Sequence, residues 1–237
     1  MSRKLERTAV RRTAVAAPVR EGSRERVQAD SRFRFVGGNP SLDFVNTINW
    51  TSDGLEDERL VDYQSLTRWA EQAGVVTRSV AAALRRAARE RPADAARAYA
   101  SALRLRSLLH GVFVESAAGR AGDASLAALE ATFTAAMRRV RLVRPSGASD
   151  ARVSLGWHGW GEALECPLWP ITRAAAELLA SSEARKLRVC AAQDCGWVYV
   201  DRSRNGLRRW CEMRTCGASA KSRRYYARRT GRESGAG

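Results

Sequence analysis

Four cysteines near one end of the chain, Cys190, Cys195, Cys211 and Cys216, follow the pattern C-x4-C-x15-C-x4-C. Two matched pairs around a short spacer can bring four thiolates together on two loops. Four thiolates in a tetrahedron suit Zn²⁺. A cluster of small buried hydrophobes is the alternative for cysteines, but Gln193, Asp194, Glu212 and Arg214 lie inside the two loops and make a polar setting. With four protein ligands the site has no open position, so one structural zinc is expected rather than a catalytic one. Zinc-finger metal binding, about 10–16 kcal/mol, supplies folding energy that so small a unit lacks.

The elements that must hold these ligands follow from the residues between them. Gly196 directly after the second cysteine permits a positive φ in a tight ligand loop. Trp197-Val198-Tyr199-Val200 has the composition of a short strand. Asn205-Gly206 marks a hairpin turn, after which Leu207-Arg208-Arg209-Trp210 would return as the second strand to Cys211. From about Ser219 the sequence is helix-compatible, with Gly231 as its stop. Knuckle, hairpin, knuckle and helix is the expected order.

Charge is concentrated at the two ends of the chain. The 237 residues carry a net charge of +16. Residues 1–34 hold ten Lys/Arg against four Asp/Glu, residues 185–237 hold fourteen against four, and residues 35–184 hold seventeen of each. A neutral body with basic ends fits a module that touches polyanions. The candidate contacts are Arg202, Arg204, Arg208 and Arg209 around the hairpin and Lys221, Arg223, Arg224 and Arg228 on the last helix. Lys221, Arg224, Tyr225 and Arg228 share one helical face. Arginine's planar fork suits phosphate. Trp197 and Trp210 are expected beside the metal rather than as base-stacking platforms.

Before this segment the periodicity is mainly helical. Phe33–Val36 alternates like a short strand, and Gly37-Gly38-Asn39-Pro40 breaks it. Ser41 is expected to cap a helix carrying Leu42, Phe44, Val45 and Ile48. Helices are expected from Tyr63 to Gly74, from a Thr77 cap to Arg91, from Ala93 to Ala118, from Ser125 to Met137 and from Pro170 to Ser182. A hairpin is expected between Val140-Leu142 and Val153-Leu155-Trp157. The fold class is therefore mainly α with a small β element. It divides into a basic, disordered arm (1–30), a helical domain (31–184), a zinc finger (185–230) and a flexible tail (231–237).

At these residues a resemblance is evident. Cys195-Gly-Trp-Val-Tyr-Val-Asp-Arg-Ser-Arg-Asn205, Arg208-Arg-Trp-Cys-Glu-Met213, Cys216-Gly217 and Lys221-Ser-Arg-Arg-Tyr225 resemble the CGNR zinc finger. Phe35-Val-Gly-Gly-Asn-Pro-Ser-Leu-Asp-Phe-Val-Asn-Thr47 resembles the opening of the ABATE domain that precedes this finger. The family is bacterial and described as stress-induced transcriptional regulators, and an RNA-binding role has also been suggested for it. The resemblance implies a cytoplasmic DNA-binding regulator, with an RNA-binding protein and a protein-interaction module as the other readings. A small-molecule effector or a homodimer contact would belong to the helical domain. One departure stands out. The family's Cys-Gly continues with Asn-Arg, whereas Ala218-Ser219 follow here. Either a phosphate or base contact is missing, or Ser219 takes over a helix cap from the family's Asn.

Other chemistry is sparse. His110 and His158 are the two histidines, and each is expected as a core or edge residue. Cys166 has no paired cysteine nearby. Asp43, Asn46 and Asn49 could line a small pocket, but caps and turn bonding are the simpler role. No nucleophile or acid–base constellation appears, so an enzyme is not expected. The N-terminal arginines precede no clean apolar stretch, so no secretory signal is expected, and no apolar run reaches membrane-span length.

Overall fold

The computed structural model describes residues 33–50, 58–144 and 153–233, with side chains to residue 227. The expected arm at 1–30 and the end of the expected tail lie outside the described residues. The element order is α1 (Pro40–Val45), α2 (Tyr63–Gln72), α3 (Arg78–Glu90), α4 (Pro92–Ala117), α5 (Asp123–Met137), β1 (Val140–Val143), β2 (Ser154–Trp157), α6 (Leu168–Ala180), β3 (Leu187–Val189), β4 (Val198–Val200) and α7 (Ala218–Glu233). No described helix is long and apolar enough to cross a membrane.

Local signals explain most of the boundaries. Asp62 caps α2 in a reciprocal box with Ser65. Thr77 caps α3, its hydroxyl accepting from Val80 N. Pro92 ends that run and opens α4 at its first position, where a missing N–H costs nothing. α4, 26 residues long, is the central strut. It buries Leu105, Leu109, Val112 and Phe113 against α1, α5 and α6. The first hairpin forms in the expected place, antiparallel with Val140 opposite Trp157.

Several expectations are corrected. Among the described residues Phe33–Val36 has no sheet partner. Phe33 and Phe35 anchor in the body core while Val36 packs beside the cysteines, so this segment straps two clusters together. Asn39, not Ser41, caps α1. Its Oδ1 accepts from Ser41 N at 2.9 Å and Ser41 Oγ at 2.7 Å, with Pro40 as first residue. In the finger, β4 pairs with β3, Leu187 opposite Val200, and Leu207–Trp210 forms no strand. Asp201 is the cause. Its carboxylate accepts from Ser203 N at 2.9 Å, Ser203 Oγ at 2.6 Å and Arg208 N at 3.1 Å. These bonds curl 201–208 into a loop and draw it off the strand direction. Gly231 does not end α7, which continues to Glu233.

Asp43 shows what turn bonding costs in this core. It is buried, and its Oδ1 accepts from Gly37 N at 2.8 Å, holding the turn before α1. Burial pushes its carboxyl up to about 7, against the pull of the Gly37 and Val36 N–H groups. Between the ordinary carboxylate pKa and 7, the folded chain holds a proton that the unfolded chain has released. Stability from this group therefore falls as pH rises through that window, by about 1.4 kcal/mol per unit, and levels off above 7. Asp43→Asn keeps an acceptor without the charge. Urea unfolding of the zinc-loaded protein should show the variant gaining on the parent from pH 5 to 7. Equal pH slopes for the two proteins would refute this role.

Candidate metal centre and the adjoining basic groove

β4 is buried on both faces. Val198 and Val200 point into the body core with Leu187, and the alternate residues Trp197 and Tyr199 pack among the cysteines. This alternation places the first knuckle against the body. The second knuckle is fixed by Arg208, whose guanidinium donates to Trp210 O at 3.0 Å, to Val36 O at 3.3 Å and to Cys211 O, and lies 4.2 Å over the Tyr199 ring. Tyr199 OH in turn donates to Arg208 O at 2.6 Å.

The result is one cluster of Cys190, Cys195, Cys211 and Cys216, with all four sulfurs within 4.8 Å of one another. Cys195 and Cys211 Sγ are 3.7 Å apart, and Cys211 and Cys216 Sγ 3.6 Å. A tetrahedral zinc with bonds of about 2.3 Å requires sulfur separations of about 3.8 Å. The donor set and spacing therefore fit one Zn²⁺. Without a cation, four thiols this close cannot all ionise. Hydrogen bonds from Cys195 and Cys211 hold Cys190 toward thiolate, and the same bonds push the other two thiols up. Zinc replaces those protons and satisfies all four sulfurs.

Four thiolates around one Zn²⁺ leave two negative charges. Arg34, Arg59 and Arg223 line a polar cavity of about 170 Å³ against Cys195, Cys211 and Cys216. Arg34 pairs with Glu212, and Arg223 reaches Asp194 at 3.2 Å. Arg59 lies 5.1 Å over Trp197. Ser219 faces this cavity. It does not cap α7, because a π-helical turn at Met213–Gly217 leads straight into the helix and places Ser219 inside its first turn.

The contacts that join knuckle to body were not apparent from spacing. Asn46 acts as a strand partner, with Nδ2 donating to Val198 O at 2.8 Å and Oδ1 accepting from Val198 N at 3.0 Å. Trp197 Nε1 donates to Ile48 O at 2.8 Å, and Trp50 N donates to Cys195 O at 2.9 Å. The Trp50 ring stacks on His110 at 3.9 Å. His110 Nε2 lies 2.9 Å from Gly196 O. A carbonyl can only accept, so Nε2 carries the proton, and burial holds the imidazole pKa below its usual value. Arg106, buried on α4, braces the loop beyond α1 through Glu58 at 2.7 Å and Thr47 at 3.0 Å. The one hint in the sequence was a histidine on a helix otherwise built for core packing.

A family model described as "Putative stress-induced transcription regulator", ABATE, matches residues 38–182, and the CGNR zinc finger model matches residues 186–229. The chain belongs to the ABATE family. Its CGNR finger carries the four-cysteine zinc site. No curated protein matches the chain.

The predicted basic contacts of the CGNR finger fall into three groups. Arg202 is held by the body, its Nε and Nη2 each 2.8 Å from Glu183, whose carboxyl this pairing holds below the usual range. Arg208 is part of the framework just described. Arg204, Arg209, Lys221, Arg223 and Arg224 are exposed, and the Arg228 side chain lies outside the described residues. A groove of about 500 Å³ runs between the first knuckle and α7. Arg209, Arg223 and Arg224 line it, with Trp210 and Gln193. Arg209 lies 5.4 Å over the Trp210 ring. Among the remaining residues, Cys166 is fully buried and burial pushes its thiol up to about 12, which suits an inert core residue. His158 is exposed and its backbone N–H donates to Arg139 O. Asn49 lines the polar cavity beside the zinc site, whereas Asp43 and Asn46 serve turn bonding and docking.

Proposed function

We propose that the protein is a cytoplasmic, zinc-dependent transcription regulator whose CGNR finger binds DNA through the groove between its first knuckle and α7. The observation that carries this reading is the convergence of Arg209 from the loop before Cys211 with Arg224 from α7 on one open groove, beside Arg223, which is paired with Asp194. Lys221 flanks the groove, one turn before Arg224 by helical spacing. Arg228 shares the Arg224 face by the same spacing. Residues 35–184 are neutral, and residues 185–237 carry fourteen Lys/Arg against four Asp/Glu, the larger of the two basic excesses, so the finger contributes most of the field that attracts a phosphate backbone. In this reading a helical domain at 31–184 supports the finger at 185–230.

Single-stranded RNA is the second reading, and one observation favours it. Tyr225 and Tyr226 are exposed on the same helix, their rings 5.6 Å apart and edge to face. Exposed aromatics between arginines can stack on bases. Trp197 and Tyr199, by contrast, are buried and offer no platform.

The test is a binding titration with genomic duplex fragments and with total RNA at several salt concentrations. Duplex DNA should win the competition. Arg209→Glu, Lys221→Glu and Arg224→Glu together should weaken binding by roughly a hundredfold or more at low salt and flatten the logarithmic salt slope by roughly 2.7, about 0.9 per lost phosphate contact. Zinc content and melting temperature should not change, since all three side chains are exposed. Unaltered affinity in the triple variant would overturn the groove. Preference for RNA with a shallower slope, lost in Tyr225→Ala/Tyr226→Ala, would establish the second reading instead.

A further inference from the structure

The body holds a cavity that neither the zinc site nor the basic groove uses. It opens between α4, α5 and the start of α6, with a volume of about 690 Å³. Small residues create it. Ala98 and Ser101 on α4 and Ala136 on α5 face Leu168, Trp169 and Thr172 across the gap, where longer side chains would close it. The volume lies within the range of small-molecule sites, about 300–1,000 Å³. No finger residue lines it.

Its walls combine an apolar floor with an uneven set of charges. Leu105, Leu168 and Trp169 are buried. Of three arginines on the wall, Arg97 is paired with Asp94, and Arg91 lies 3.8 Å from Asp94 and donates to Glu162 O at 2.8 Å. Arg139 differs. Among the described residues no carboxylate pairs with it, and its guanidinium lies 5.4 Å from the Trp169 ring centroid. Three arginines against Asp94 and Glu165 leave the wall one positive charge in excess. A single excess charge suits a monoanion and disfavours a polyphosphate. An aromatic ring capped by a guanidinium can hold an apolar group against the ring while the cation takes a carboxylate.

We propose that this cavity is an effector site for an amphipathic monocarboxylate, its apolar part lying against Trp169 and Leu105 and its carboxylate on Arg139. α4 carries Leu105 in the cavity wall and, further along the same helix, His110, which holds Gly196 O beside the zinc ligands. A ligand seated here therefore bears on the helix that supports the finger.

The experiment uses the full zinc-loaded chain. 4-Phenylbutyrate and octanoate are titrated against tryptophan fluorescence and melting temperature, with 4-phenylbutyramide and octanamide as uncharged counterparts. At least one acid should bind saturably and raise the melting temperature, and its amide should bind roughly tenfold or more weakly. Arg139→Gln, at an exposed position, should lose roughly tenfold in affinity for the acid while its zinc content and unliganded melting temperature stay at parental values. Ser101→Leu should occlude the cavity and abolish the response. The proposal is overturned if neither acid binds saturably, if amides bind as well as acids, or if Arg139→Gln binds like the parent.

Discussion

Stripping zinc from this protein should destabilise the helical body as well as the finger. A finger tethered by a linker would unfold alone and leave the body's melting temperature untouched. Here the knuckle is bonded into the body at Asn46, Ile48, Trp50 and His110, and Leu187, Val198 and Val200 complete the body's own core. Losing the metal leaves four thiols crowded within 4.8 Å and releases β4 from both clusters it joins. The expected loss is at least about 3 kcal/mol in the body transition, or roughly 10 °C for a chain of this size. A chelator and Cys211→Ser should act alike. Native mass spectrometry reads the zinc, and far-ultraviolet circular dichroism reads the helices during melting. A zinc-free protein whose helices melt at the parental temperature would disprove the coupling.

Gly196→Ala should be nearly as damaging, although it adds one methyl group. Gly196 sits at φ +67°, a conformation costly for other residues, and a Cβ there would stand 2.4 Å from Trp50 O and 2.7 Å from Trp50 Cβ. Neither neighbour can yield easily. Trp50 N is bonded to Cys195 O, and its ring is stacked on His110. Relief requires the knuckle to lift from the body, breaking the Trp50–Cys195 and His110–Gly196 contacts together. We expect a loss of about 3–4 kcal/mol and a weaker hold on zinc, since Cys195 would move with the loop. Thermal melts and competition with a zinc chelator measure both effects. Gly206→Ala is the control. That glycine has a similar φ of +63° but nothing within 4 Å of an added Cβ, so only the backbone cost remains.

Much of this architecture was written in local patterns. The four cysteines declare their chemistry through spacing and polar loops, and a tetrathiolate site tolerates few alternatives. Thr77, Pro92 and the apolar stripe of α4 mark helices through capping, a missing donor and a 3.6-residue period. These signals act over a few residues, so sequence carries them directly. The partner of β4 was different. Asn205-Gly206 points to the nearer segment 207–210, yet Leu187–Val189 pairs instead, because Asp201 gathers its own loop and Leu187 adds to the body core.

What the sequence by itself determined is therefore the metal, the helical class and the concentration of charge at the two ends, the finger among them, each set by residue type and short spacing. Tertiary structure decided which arginines remain for a ligand. Arg202 and Arg208 look identical to Arg209 and Arg224 in the sequence, but a carboxylate from the turn after α6 holds the first and backbone carbonyls hold the second. It also decided that Asn46, Trp50 and His110 join finger to body, across separations of up to 152 residues. Such contacts form only when the chain has folded, because each depends on two distant segments arriving with complementary hydrogen-bonding groups, and no local pattern encodes that meeting.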